Sequence, residues 1–148
     1  MSQWWAVPML LSGGLFVGGL VTIAWERAPA WRATDLADFR TGLAHTVRRM
    51  DRLQPALLVV WLASTIGFAS STGGAARALA GLAAAGLLVV LVGSAALLIP
   101  IQRRLVAAGP GPPPAAGEAL RARWLGGHLL RTAVALACFA LAVAATVV

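Results

Sequence analysis

Four long apolar runs, separated by segments in which every basic residue is arginine, limit what this chain can fold into more than any other feature. Residues 4–25 form an uncharged run of 22, long enough at about 1.5 Å per residue to cross a hydrocarbon layer of about 30 Å. Runs over about 55–71, 78–100 and 124–147 repeat the pattern. In lipid only helices and closed barrels satisfy their own backbone, and runs of this length call for helices. The expected architecture is all-α: one membrane domain over residues 1–148, a four-transmembrane-helix bundle. A mean hydropathy of +0.82 with 11% charged residues is far too apolar for a soluble domain of this size.

The polar connections set the expected orientation. All 12 basic residues are arginine, so the net charge of +7 holds at any relevant pH. Six arginines fall in the first connection (27, 32, 40, 48, 49, 52) and four in the third (103, 104, 121, 123), whereas the second holds only Arg77. The positive-inside rule then puts the first and third connections in the cytoplasm of a bacterial-type inner membrane and both termini outside. Arginines lying between apolar runs argue for lipid and against nucleic acid as the partner.

The polar insertion, 26–54, also carries Glu26, Asp35, Asp38 and Asp51. Thr34 or Asp35 can cap a helix there, and Leu36, Phe39, Leu43, Val47 and Met50 recur at helical spacing. An amphipathic helix is expected, lying on the membrane surface or closing over the mouth of the bundle. His45 projects from its polar side with Asp38, Arg49 and Arg52; it becomes a candidate base only if the helix turns that side to a cavity. Gly14 and Gly18 form a GxxxG pair in the first run, for packing within the bundle or for a homo-oligomer. Pro100 is expected to end or kink the third helix. A Pro/Gly-rich linker covers about 106–117. The single Cys138 lies in the last run as a small core residue, and no disulfide framework exists.

Chemistry concentrates where the fourth run begins. At about 100° per residue, Trp124, His128 and Arg131 fall within about 60° on one helical face. Ionisable groups at membrane depth mark candidate sites. Gln102 and Glu26 are expected at the same level as further substrate contacts, which makes Trp124, Gln102, Glu26 and His45 the candidate binding residues. The structural alternative keeps Trp124 as an interfacial anchor, Arg131 snorkelling to lipid phosphate and His128 bonded to a neighbouring helix. Two histidines and one cysteine supply no closed metal site unless Glu26 or Asp38 joins.

The segment Leu98, Ile99, Pro100, Ile101, Gln102, Arg103, Arg104, Leu105, followed after the linker by Arg123, Trp124, His128, Arg131 and Thr132, resembles the carboxy-terminal half of the small four-helix membrane proteins grouped with the anthrone oxygenases. That family closes its third helix with Pro-x-Asn-x-x-Leu and opens its fourth with Trp-x-x-x-(Asn or His)-x-x-Arg; Gln102 stands where the pattern prefers Asn. The resemblance covers about residues 98–132. It implies an enzyme for an aromatic, polyketide-like molecule, with molecular oxygen as co-substrate and no metal or flavin cofactor. His128 would be the base, Arg131 the oxyanion partner and Trp124 an aromatic wall. The same groups would serve a cyclase or isomerase, and a non-catalytic binding or accessory protein is the alternative from another class.

Overall fold

The computed structural model describes residues 2–50 and 52–148; Asp51 lies outside them. The described chain is all helical. Its elements are α1 (Ser2–Thr22), a π-helical turn (Ile23–Arg27), α2 (Ala28–Ala33), α3 (Leu36–Met50), α4 (Leu53–Ser71), α5 (Gly74–Gly93), a second π turn (Ser94–Leu98), α6 (Ile99–Val106) and α7 (Pro114–Ala145). The long helices pack in a closed ring, α1 on α4, α4 on α5, α5 on α7 and α7 back on α1. Four helical segments, Gln3–Ala33, Leu53–Ser71, Gly74–Val106 and Pro114–Val147, are long and apolar enough to cross a membrane. Leu11, Leu15, Val59, Leu82, Val89, Val92, Leu130 and Val143 stand exposed along their outer faces, as a bundle surrounded by hydrocarbon requires.

Two of these segments run further than their hydropathy predicts. The first continues past Glu26 to Ala33 and the third past Pro100 to Val106. Of the end or kink expected at Pro100, the end does not occur. A proline inside a helix removes one N–H and its ring clashes with the carbonyl four residues back. Pro29 and Pro100 each stand two residues after a π turn, and the wider turn moves that carbonyl aside. The N–H groups of Ala28 and Ile99 donate to the carbonyls of Ile23 and Ser94, five residues back. The polar insertion therefore begins with a helix continuous with α1. The linker without regular structure shortens to residues 107–113.

Side chains divide into two cores. The larger is built by Met9, Phe16, Leu20, Leu58, Trp61, Leu87, Ala135 and Cys138 along the middle of the ring. Gly13 lets Trp61 and Phe139 approach α1, whereas Gly18 of the GxxxG pair lies exposed and Gly14 faces Phe139. Cys138 is buried against Gly86, the core position its surroundings predicted. The second core gathers at the arginine-rich end from Ile23, Trp31, Phe39, Leu43, Leu98, Leu105, Trp124 and Leu125.

Helix α3 caps that end. Asp35 accepts the Asp38 N–H at 2.8 Å, closing the amino terminus of the helix. Phe39 and Leu43, both 0% exposed, point inward, so the amphipathic helix closes over the bundle. Phe39 packs against Trp31 and Trp124 with ring centroids 5.6 and 6.4 Å away, and Arg121 lies 5.8 Å over its ring. Arg121 also donates to the carbonyls of Thr34 and Trp31 and pairs with Glu118. Arg40 fastens the helix from its other side, donating to the carbonyls of Leu105 (2.7 Å), Ala107 (3.0 Å) and Pro110 (3.5 Å). One guanidinium thus satisfies a carbonyl in the last turn of α6 and two in the irregular linker that follows. Arg40→Ala is expected to speed amide hydrogen exchange in α3 by about tenfold or more while leaving α5 unchanged, because each lost charge-assisted bond is worth about 1.5–3 kcal/mol. Wild-type exchange in α3 would show that the aromatic packing alone holds the cap.

Candidate functional site

The stripe on α7 faces the bundle interior. Trp124 is 4% and His128 0% exposed, and their rings stack at 5.3 Å with 15° between planes. His128 is held at both nitrogens. Nε2 lies 3.2 Å from the Leu20 carbonyl of α1, and Nδ1 lies 3.0 Å from a terminal nitrogen of Arg131. A carbonyl only accepts and a guanidinium only donates, so the proton sits on Nε2 and Nδ1 accepts. The imidazole is the neutral tautomer, tying α1 to α7 while orienting Arg131. Thr132 steadies the turn by donating to the His128 carbonyl at 2.8 Å.

A cavity of about 140 Å³ lies at the seam between the two cores. Phe16, Leu20 and Leu58 wall it from the larger core, Ile23 and Trp124 from the smaller, and Leu43, Thr46, Val47 and Met50 of α3 roof it. Both π turns reach it, through Ile23 and through Ser94 and Ala95. Arg131 and Gln102 project into its wall, together with Gln54 and Ser94, which sequence reasoning did not single out. Three buried polar atoms of these residues, Arg131 Nε, Gln54 Oε1 and Ser94 Oγ, have no hydrogen-bond partner among the described residues. Trp61 Nε1, in the larger core, is the only other such side-chain atom described. Orphaned polar atoms are rare in buried sites, and three of them around one small cavity mark a place prepared for a polar ligand or water.

Charge points the same way. Among the described residues the one ion pair is that of Arg121 and Glu118, and no carboxylate lines the cavity. A guanidinium in an apolar wall whose buried Nε–H is unanswered is a receptor for an anionic or strongly accepting oxygen.

The predicted residues thus divide. Trp124, Gln102 and Arg131 line the cavity; His128 sits behind Arg131 and lines no part of it. Glu26 is exposed and borders none of the cavities described, which corrects its expected place at the mouth: the π turn and Pro29 carry the helix on and turn Glu26 outward. His45 is corrected too. It is exposed and borders a separate outer crevice with Arg27 and Arg49, because the apolar side of α3 is the one that faces in. No three His, Cys, Asp or Glu side chains stand together as a metal site among the described residues. Gln54 gave a signal in its sequence, a polar residue immediately before the proline that opens an apolar run; Ser94 gave none beyond a hydroxyl inside one.

His128→Leu is expected to lower stability by about 2–4 kcal/mol, since it removes the side-chain donor that ties the Leu20 carbonyl to α7 and leaves a second donor of Arg131 orphaned. Detergent-denaturation midpoints measure this. A loss under about 0.5 kcal/mol would show that the two bonds do not tie the helices. No family model, curated protein or solved structure matches the chain.

Proposed function

We propose that this chain is an integral membrane protein that takes an acidic aromatic molecule into the seam cavity and stabilises its oxyanion on Arg131. The observation that carries the reading is the unanswered Nε of a guanidinium in an otherwise apolar chamber. Four apolar helices support the membrane assignment. The distribution of arginines supports an orientation with the capped end in the cytoplasm and both termini on the other side of the membrane.

The chemistry follows the resemblance to the anthrone oxygenases. Removal of a carbon-bound proton beside a carbonyl gives a delocalised anion whose charge rests on oxygen, where Arg131 meets it. That anion passes electrons to molecular oxygen, a hydroperoxide forms on the same carbon, and loss of water leaves a carbonyl. One O₂ is consumed per CH₂ oxidised, one oxygen atom ending in the product and one in water. Trp124 and Phe16 supply aromatic walls, and Gln54, Ser94 and Gln102 can fix a second polar substituent.

One observation favours a second reading, binding without catalysis. His128, the expected base, is fully buried and its only lone pair already accepts from Arg131. It is free to take a proton only after Arg131 moves away. Two measurements separate the readings. Purified protein should bind 4-nitrophenol with the absorbance of the bound anion persisting at lower pH than for the free phenol, and Arg131→Gln should weaken binding about 10- to 150-fold, the worth of one charge-assisted hydrogen bond. Unchanged affinity in Arg131→Gln would remove the cavity from function. Oxygen uptake in the presence of chelator with acidic aromatics that carry a CH₂ beside a carbonyl, single-ring as well as anthrone-type, supports the oxygenase; binding of the single-ring compounds with no uptake establishes the carrier.

A further inference from the structure

The cavity also limits what can occupy it and how that molecule arrives. Its volume of about 140 Å³ is close to that of engineered apolar cavities of about 150 Å³ that hold a single benzene. One ring fits. Three fused rings do not fit without displacing the α3 roof, which Arg40, Arg121 and the aromatic cluster hold down.

Exposure along the lining shows where the chamber opens. Of all the residues that line it, only Pro55 on α4 and Ala95 in the second π turn are exposed; every other one is buried or half-buried. These two form the exposed rim of the chamber. α4 packs chiefly along α1 and α5, and the second π turn chiefly along α5, α6 and α7. The flanking side chains Leu53, Val59, Val60 and Leu97 are exposed and apolar. An opening rimmed this way, on the side of helices apolar enough to cross a membrane, faces lipid rather than water.

We infer that the ligand is a lipid-like amphiphile: a single acidic ring, phenol or enol, seated at Arg131, Gln54 and Ser94, with an apolar tail that leaves between Pro55 and Ala95 into the bilayer. The inference rests on the proposed acidic aromatic ligand and narrows it. The head takes the space a lone ring fills; its acidic oxygen accepts from Arg131 Nε and Ser94 Oγ, and a second O–H on the ring donates to Gln54 Oε1, which only accepts. The tail needs no space inside the protein. Such a ligand reaches the site sideways from the membrane, without lifting α3.

The test uses full-length protein in lipid nanodiscs and 4-nitrophenols carrying alkyl chains from methyl to dodecyl, with affinities referred to the lipid-phase concentration so that partition into lipid cancels. Affinity is expected to stay within about threefold along the series, because the tail remains in hydrocarbon before and after binding. A hydroxylated three-ring analogue should bind about tenfold or more weakly, the cost of overfilling a packed chamber. Ala95→Trp, placed in the mouth, should weaken the dodecyl compound about tenfold relative to unsubstituted 4-nitrophenol, and Pro55→Trp should do the same from the opposite rim. Loss of affinity once the chain passes a few carbons, or equal binding of the three-ring analogue, overturns the inference while leaving the acidic aromatic ligand standing. So does an equal effect of both rim variants on short and long compounds. If no nitrophenol binds, or all bind Arg131→Gln as well as wild type, the underlying reading falls and this one with it.

Discussion

A guanidinium placed within an apolar helix, with no carboxylate near it, is the constraint to which the arginine-rich half of the bundle answers. Isolated cations are costly in a low-dielectric surrounding unless their donors are met. Arg131 receives one partner from its own helix, the Nδ1 lone pair of His128. That lone pair is available only because the Leu20 carbonyl fixes the proton on Nε2, so a backbone group of α1 determines what α7 offers to its own arginine. Trp124 stacks on the imidazole and sets its plane, and Trp124 in turn is packed by Trp31 and Phe39. The aromatic cluster, the helix cap and the orientation of Arg131 are therefore one connected arrangement.

The chamber beside Arg131 exists because two helices widen at the same level. A regular helix presents a continuous ridge, and two facing ridges interdigitate until little space remains. Pro29 and Pro100 each follow a π turn, and both turns contribute lining to the cavity. The larger core ends below this level and the smaller core begins above it. α3 covers what would otherwise be an open end, and the guanidiniums of Arg40 and Arg121 hold it down from either side.

How much of this was legible in the sequence depends on how far each signal reaches along the chain. The four apolar segments, the capping Asp35 and the inward face of α3 are local periodicities, and the structure displays them. The shared face of Trp124, His128 and Arg131 is equally local, since three- and four-residue spacings on an unbroken helix leave no alternative. Glu26 lies inside the first π turn and Gln102 just beyond the second. One extra residue per turn shifts helical phase by about 100°, so extrapolation from either run loses its bearing there. Glu26 accordingly faces out, whereas Gln102 reaches the cavity. Gln54 and Ser94 lie on other helices, 40 residues apart, and only the closed ring brings them to Arg131. The division of labour between His128 and Arg131 was hidden for a similar reason: periodicity gives the face but not which residue stands in front.

That order of residues bears on what His128 can do. A guanidinium carries five N–H donors in a rigid plane, and the bond to His128 uses a terminal nitrogen while the orphaned donor is Nε. A ligand oxygen can therefore occupy Nε without displacing the imidazole. Binding then leaves the His128 lone pair committed, and the histidine acts by positioning the cation rather than by touching the ligand. For His128 to serve as base, Arg131 must release it as charge develops on the ligand, and the guanidinium must turn toward the new oxyanion with more than one donor. Such a turn strengthens the anion's bonds and frees the base in the same movement. It also leaves Nε2 bound to Leu20, so a proton taken at Nδ1 would make a cation held by the carbonyl of a neighbouring helix. Catalysis through His128 thus requires the ligand's own negative charge to stand between the new imidazolium and the Arg131 guanidinium.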